Sequence, residues 1–255
     1  MELTRYDFEH PINLYNLGDV HRGDQCHDNK IFKHVINLIL EDPHARWVST
    51  GDLCNVALKT SVSSVYKSKN LQEELDILTQ KELKPIADKC LGFVSSNHHR
   101  RFEKEAGLSL DIIISRELGI PYLGAIGLLA IACGRSVYYV AMHHGVGGGK
   151  KRGSKANNLF EFSSIIPCAD IYLEGHTHSP DYFPETFHYI DRKRGSIRQY
   201  TAHFCVTGHY ITWDESYAQD IKLNPKPKGS SVLTLAYNNS GKQCNKKVEY
   251  GFAGE

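Results

Sequence analysis

Several features that would assign the chain to a specialised class are missing. No Cys-x-x-Cys pair occurs among the cysteines at 26, 54, 90, 133, 168, 205 and 244, so neither a zinc knuckle nor a disulfide framework is expected. Scattered thiols of odd number suit a reducing compartment. There is no His-Glu-x-x-His segment, which excludes the helix-borne zinc site of metalloproteases. Neither sign of charge dominates: 30 Lys and Arg face 29 Asp and Glu, a net charge of +1, and nothing in that balance demands a polyanionic partner. Long hydrophobic runs are absent too. The longest, Ile120 to Cys133, is broken by Pro121, Gly124 and Gly127 and falls short of the ~20 residues needed to span a bilayer. The first residues, Met-Glu-Leu-Thr-Arg-Tyr-Asp, lack the apolar core of a secretory leader. A cytoplasmic location is the expectation, and in that compartment the glycosylation match Asn238-Asn239-Ser240 is incidental. No internal repeat is found.

What is present is an ordinary globular composition, 41% hydrophobic and 23% charged over 255 residues, which suits one layered α/β domain. Within it one pattern recurs five times. Ile12 to Leu17 runs into Gly18-Asp19-Val20-His21-Arg22-Gly23-Asp24, and Arg46 to Thr50 runs into Gly51-Asp52. Leu91 to Ser95 runs into Ser96-Asn97-His98-His99-Arg100, and Ser136 to Met142 into His143-His144-Gly145. Asp170 to Glu174 runs into Gly175-His176-Thr177-His178. Each apolar run reads as a buried strand whose carboxyl end delivers Asp, Asn or His. Ligands of layered α/β sheets sit beyond that end, so the five segments are expected to converge. Carboxylate, carboxamide and imidazole donors without thiolates favour Mn²⁺, Zn²⁺ or Fe over a structural zinc cage.

Asp-x-His, Gly-Asp, Asn-His, a His after a strand and Gly-His-x-His, in that order over residues 12 to 178, resemble the signature of the calcineurin-like metallophosphoesterases. The resemblance implies an α/β fold, a layered β-sandwich flanked by helices with its metal site at the carboxyl ends of the strands. It also implies a phosphoesterase using two divalent ions, Mn²⁺ first, with Zn²⁺, Fe or Ni²⁺ as alternatives. Asp19, His21 and His178 correspond to ligands of one ion. Asn97, His176 and one His of the 143/144 pair correspond to ligands of the other, His144 being favoured because it adjoins the turn. Asp52 corresponds to the bridge, and a water shared by the ions would be the nucleophile. His98 matches the family's catalytic His, but His99 stands where the family usually has an acid, so something else must orient His98; Asp24 and Glu174 are candidates. His143, Arg100 and Lys150 are expected at the substrate, with Arg101 an alternative to Arg100. The substrate branch implied is a phosphodiester, nucleotide or DNA, as in the repair-exonuclease branch. The alternatives are a phosphomonoesterase or protein phosphatase, or a silent scaffold of the same fold.

Beyond the motifs, a helix is expected over Lys30 to Glu41, closed by Pro43, and another through Leu71, Leu75 and Leu78, interrupted near Pro85. A short one over Leu110 to Leu118 is capped by Ser109 and stopped by Gly119. Gly134-Arg135 reads as a hairpin turn, and Asn157 to Ile166 as a helix. The basic stretch Gly145 to Lys155 lacks the second element of a phosphate loop and reads as a loop carrying Lys150, Lys151, Arg152 and Lys155. Residues 1–255 are taken as a single domain, with 56–90 and 100–135 as insertions and 184–252 as strands of the second sheet. Arg192-Lys193-Arg194 is a charged turn. His10, His27, His34, His44 and His188 have no assigned role; His203 and His209 lie on late strand-like runs and are open to either reading, an approach to the site or an ordinary core position.

Overall fold

The computed structural model describes residues 1–57, 68–147, 151–220, 222–240 and 243–254. Strand β1 is Leu3–Phe8 and β2 is Ile12–Asn16. In β2, alternation sends Ile12 and Leu14 to one apolar cluster and Tyr15 to another, so this strand is covered on both faces. Helix α1 (Asn29–Glu41) follows, its N-terminus capped by Asp28, which accepts from the backbone of Lys30 and Ile31. It leads to β3 (Ala45–Ser49), parallel to β2.

Next come α2 (Leu71–Asp76), a π-helical turn Ile77–Leu83 and a 3₁₀ turn Lys84–Lys89. Pro85, in the first turn of the last piece, has no N–H for a continuing helix, which explains the interruption expected there. Residues 58–67 of the expected 56–90 insertion lie outside the described residues. Strand β4 (Cys90–Phe93) then pairs parallel with β3. Helices α3 (Asn97–Ala106) and α4 (Leu110–Leu118) end on Gly107 and Gly119, both left-handed. Ser109 flanks α4 without a side-chain capping bond.

Strands β5 (Ile126–Cys133) and β6 (Ser136–His143) form the expected antiparallel hairpin. The 100–135 stretch is therefore no insertion throughout, since β5 is an internal strand of its sheet. Helix α5 runs Arg152–Ile165, beginning five residues before the expected start. Only Leu159 and Phe162 are buried in it, so its polar first turn carries no apolar periodicity. Strands β7 (Ile171–Glu174), β8 (Asp181–Asp191) and β9 (Ser196–Val206) follow, with the short α6 (Tyr217–Asp220), β10 (Gly229–Ser240) and β11 (Gln243–Gly254).

Two sheets result, ordered β1-β5-β6-β7-β9-β8 and β11-β10-β2-β3-β4. The late strands expected to build the second sheet are divided: β8 and β9 extend the first and β10 and β11 the other. Alternation marks a face as apolar but does not say which sheet it meets, and β10 pairs with β2 across more than two hundred residues. Between the sheets lies a core that includes Ile12, Leu14, Val48, Leu129, Val140, Met142, Leu173 and Leu235. The outer face of the five-stranded sheet packs against α1, the 71–89 helical pieces and α4. The outer face of the six-stranded sheet packs against α5. The order of layers is helix, sheet, sheet, helix. Among the described residues no helix is long and apolar enough to cross a membrane.

Candidate metal centre

β2, β3 and β4 lie side by side and parallel in one sheet, as do β6 and β7 in the other. Their carboxyl ends deliver, in turn, Asp19 and His21, Asp52, Asn97 and His98, His143 and His144, and His176 and His178. Nε2 of His21 lies 3.0 Å from Nε2 of His178 and 3.7 Å from Asp52 Oδ2. Nε2 of His144 lies 3.3 Å from the same Asp52 oxygen and 3.0 Å from Asn97 Oδ1. His178 Nε2 is 3.9 Å from Asp19 Oδ1, and the rings of His144 and His176 are 5.0 Å apart. Among the described residues, two donor groups are close enough to share an ion, Asp19 with His21 and His178, and Asp19 with Asp52 and His144. Both acids thus lie between the two halves.

The chain is a two-sheet α/β sandwich with helices on both outer faces. Its five motif blocks, distant in sequence, meet at one rim where the ends of two sheets abut.

The backbone is strained where it holds these groups. Of the eight non-glycine residues with positive φ among the described residues, five are Asp19, His21, Asp52, His176 and His178. Non-glycine residues at positive φ are uncommon and cluster at functional sites. The glycines of the motifs have a steric reason. A Cβ on Gly51, whose φ is +100°, would stand 2.9 Å from Ser96 Cβ and 3.1 Å from His144 Nδ1. One on Gly175 would stand 2.9 Å from Thr50 Oγ1 and 3.1 Å from Asp19 Oδ2.

Electrostatics sharpen the picture. Asp19 and Asp52 are fully buried, and Asp19 Oδ2 and Asp52 Oδ1 have no hydrogen-bond partner. Buried, unpaired carboxylate oxygens are costly, and a cation placed among them relieves that cost. Burial pushes His21 down to about 3 and His176 to about 4, so both rings are neutral, as metal ligands must be. Burial also raises Asp19. At Asp52 burial works upward, but the neighbouring His144, His98 and His21 outweigh it and hold the carboxyl well below its usual range. The His144 ring is set by Nδ1–H donating to Thr50 O at 2.8 Å, which turns Nε2 into the cluster. These residues fit a metal ion.

Ser96 caps α3 by accepting from His99 N at 3.2 Å, placing Asn97 and His98 in its first turn. His98 Nε2 is 3.9 Å from Asp52 Oδ2. His99 points away from the cluster into the core, where Nδ1 meets Asp111 Oδ1 at 2.6 Å and Nε2 faces Cys54 O at 3.3 Å. Burial opposes charge on His99, but Asp111 more than offsets it and the ring is raised. Asp24 accepts from Cys26 N at 2.8 Å, and Glu174 lies 4.0 Å from His143 Nδ1. His143 receives Gly145 N at 2.9 Å and its ring packs on Phe162, so of the pair it is His144 that enters the cluster. Arg100 Nε donates to Ser96 O at 3.3 Å. Lys150 lies outside the described residues. Lys151 precedes α5, while Arg152 and Lys155 belong to it rather than to a loop.

One residue to which the motifs gave no role also reaches this rim. His209 follows β9, which is parallel to β7, and its ring stacks on His178 at 5.0 Å and 11°. The only sequence signal was its position just past a strand-like run. His203 instead bonds Tyr182 Oη at 2.8 Å.

No family model and no curated protein matches the chain. Among solved structures, a conserved uncharacterized protein of Streptococcus pneumoniae described as a predicted phosphoesterase is 13% identical with a TM-score of 0.41, over 95% of this chain and 90% of its own. Vps29 of Entamoeba histolytica complexed with Zn²⁺ is 13% identical with a TM-score of 0.42, over 94% and 99%.

Proposed function

We propose that the protein is a metal-dependent phosphoesterase that hydrolyses phosphodiesters of nucleotides or nucleic acids. The observation that carries this reading is the pair of buried acids, each with an unpartnered oxygen, facing imidazoles from both sheets. Asp19, His21 and His178 would hold one divalent ion, Asn97, His144 and His176 a second, with Asp52 between them. Such ions supply an activated water and neutralise phosphoryl charge. His98, a fifth exposed at the mouth of the cluster, donates the proton to the leaving oxygen. Its place in the first turn of α3 puts the positive end of the helix dipole toward the phosphate. Asp111 and His99 are positioning residues, tying α3 to α4 behind His98. Arg100 and His143 flank the mouth and contact the ester's non-bridging oxygens.

His98→Ala tests the reading. The variant is expected to keep its bound metal while hydrolysis of bis(p-nitrophenyl) phosphate falls by roughly 10²–10⁴-fold. Asp52→Asn should lose metal together with activity. A wild-type protein that binds metal and turns over neither diesters nor monoesters would make this a scaffold instead.

A further inference from the structure

Where the start of α5 meets the segment after His178, a cleft of about 250 Å³ opens, room for several water molecules and so for a phosphate group. Arg152, Lys155, Ser179, Pro180, Asp181 and Lys226 line it. Lys226 also borders the narrow recess walled by His178 and His209. The cleft therefore adjoins the metal centre on its His178 side, while none of the candidate ligands lines it.

Charge is not balanced within it. Asp181 is the single carboxylate of the lining, and Arg152 holds it through hydrogen bonds of 2.8 and 2.6 Å. Two ammonium groups are left over. Lys155 donates one N–H to the carbonyl of Thr177 at 2.9 Å, which fixes the side chain beside His178 and leaves two donors. Among the described residues no carboxylate lies within 4.0 Å of Lys155 or Lys226. Burial and the charge of Lys226 both lower the Lys155 pKa, as expected of cations that no acid separates. Ser179 adds a hydroxyl. It is only 9% exposed and has no hydrogen-bond partner among the described residues, and a buried hydroxyl in that position calls for one.

Resting on the phosphodiesterase reading above, we infer that this cleft is a second-phosphate subsite: with the scissile diester at the metal centre, it takes a phosphate monoester carried elsewhere on the same substrate. Such a group brings about two negative charges and three strong acceptor oxygens. Lys155, Lys226 and Ser179 supply the matching donors, and the two lysines supply the matching charge. A substrate with a single phosphate would leave all three without an acceptor.

Two chromogenic esters differ only in that group: thymidine 5′-(p-nitrophenyl phosphate) and the same ester carrying a 3′-phosphate. The full chain with Mn²⁺ is expected to prefer the second by roughly tenfold or more in kcat/KM, the size of one charge-assisted hydrogen bond, with the gain lying in KM. Lys155→Ala combined with Lys226→Ala should abolish that preference. Ser179→Ala should reduce it, while Lys155→Arg combined with Lys226→Arg should keep most of it. Calorimetric titration with thymidine 3′,5′-bisphosphate in EDTA reads the cleft without turnover, and the double alanine variant should bind roughly tenfold more weakly than wild type. Equal kcat/KM for the two esters in the wild type, or a preference and a bisphosphate affinity unchanged in the double alanine variant, would overturn the subsite and leave the phosphoesterase reading intact. Lysine-dependent binding of the bisphosphate with neither ester hydrolysed would sink the phosphoesterase reading and leave an anion site standing. Neither binding nor hydrolysis would remove both.

Discussion

Arg22 follows a candidate ligand directly, yet it faces away from the metal centre. Its Nε lies 2.8 Å from Glu74 Oε2 and its Nη1 3.4 Å from Glu82 Oε1, and all three side chains are less than a tenth exposed. The helical pieces over 71–89 are thereby fastened to the Asp-x-His turn. Replacing Arg22 with Met keeps the volume, strands the buried Glu82 and leaves Glu74 only Lys69, at 3.8 Å. Removing one partner of a buried ion pair costs about 3–5 kcal/mol. For a chain of this size each kcal/mol shifts Tm by about 2–4 °C, so a loss of roughly 6–20 °C is expected by calorimetry at pH 8. The deficit should depend on pH. Burial outweighs Arg22's charge and already lifts Glu82 above its ordinary value; without Arg22 it rises further. A carboxyl with a folded pKa above its unfolded one adds stability below the unfolded value and loses it as pH rises through the folded value. The gap between variant and wild type should therefore narrow from pH 8 toward pH 5. Adding Glu74→Leu and Glu82→Leu should restore most of the loss, since an apolar set often replaces a buried ionic one without penalty. A Tm change under about 2 °C at pH 8, or a gap indifferent to pH, would refute the reasoning.

Gly51→Ala should cost about 1–3 kcal/mol from its positive φ alone. Because the new methyl also presses on His144 Nδ1, metal content measured by atomic emission should fall in the same variant. His27 tests the acid side of stability: burial holds it down to about 4 while its Nδ1 bonds Val20 O at 2.8 Å. Being depressed, it contributes stability at neutral pH that is lost as pH falls from about 6.5 to the folded value, on the order of 3 kcal/mol. Chemical denaturation of His27→Gln should then show a shallower loss between pH 7 and 4 than wild type.

The convergence of the motif residues was legible in the sequence because it is written in adjacent residues, each Gly-Asp or Gly-His pair marking both a polar side chain and the tight backbone that aims it. His209 was open to either reading, since a single His near a strand end carries no spacing to separate it from an ordinary core residue such as His203. The β5–β6 hairpin and α1 followed from local turn and periodicity signals. The division of β8 to β11 between the sheets did not, because pairing partners are fixed by non-local packing and both faces of those strands read alike. The inward turn of His99 to Asp111 escaped for the same reason, because that contact is made only when α3 and α4 meet.

Asp19 accepts from the backbone of His176 at 3.0 Å, a bond that joins a loop of one sheet to a loop of the other. The two sheets act as jaws, and the spacing of the ligands is the gape between them. That gape is set by the side chains packed deep in the seam, Val48, Met142 and Leu173 among them. Changing the bulk of one of these apolar residues should retune metal affinity from a distance, without touching a single ligand.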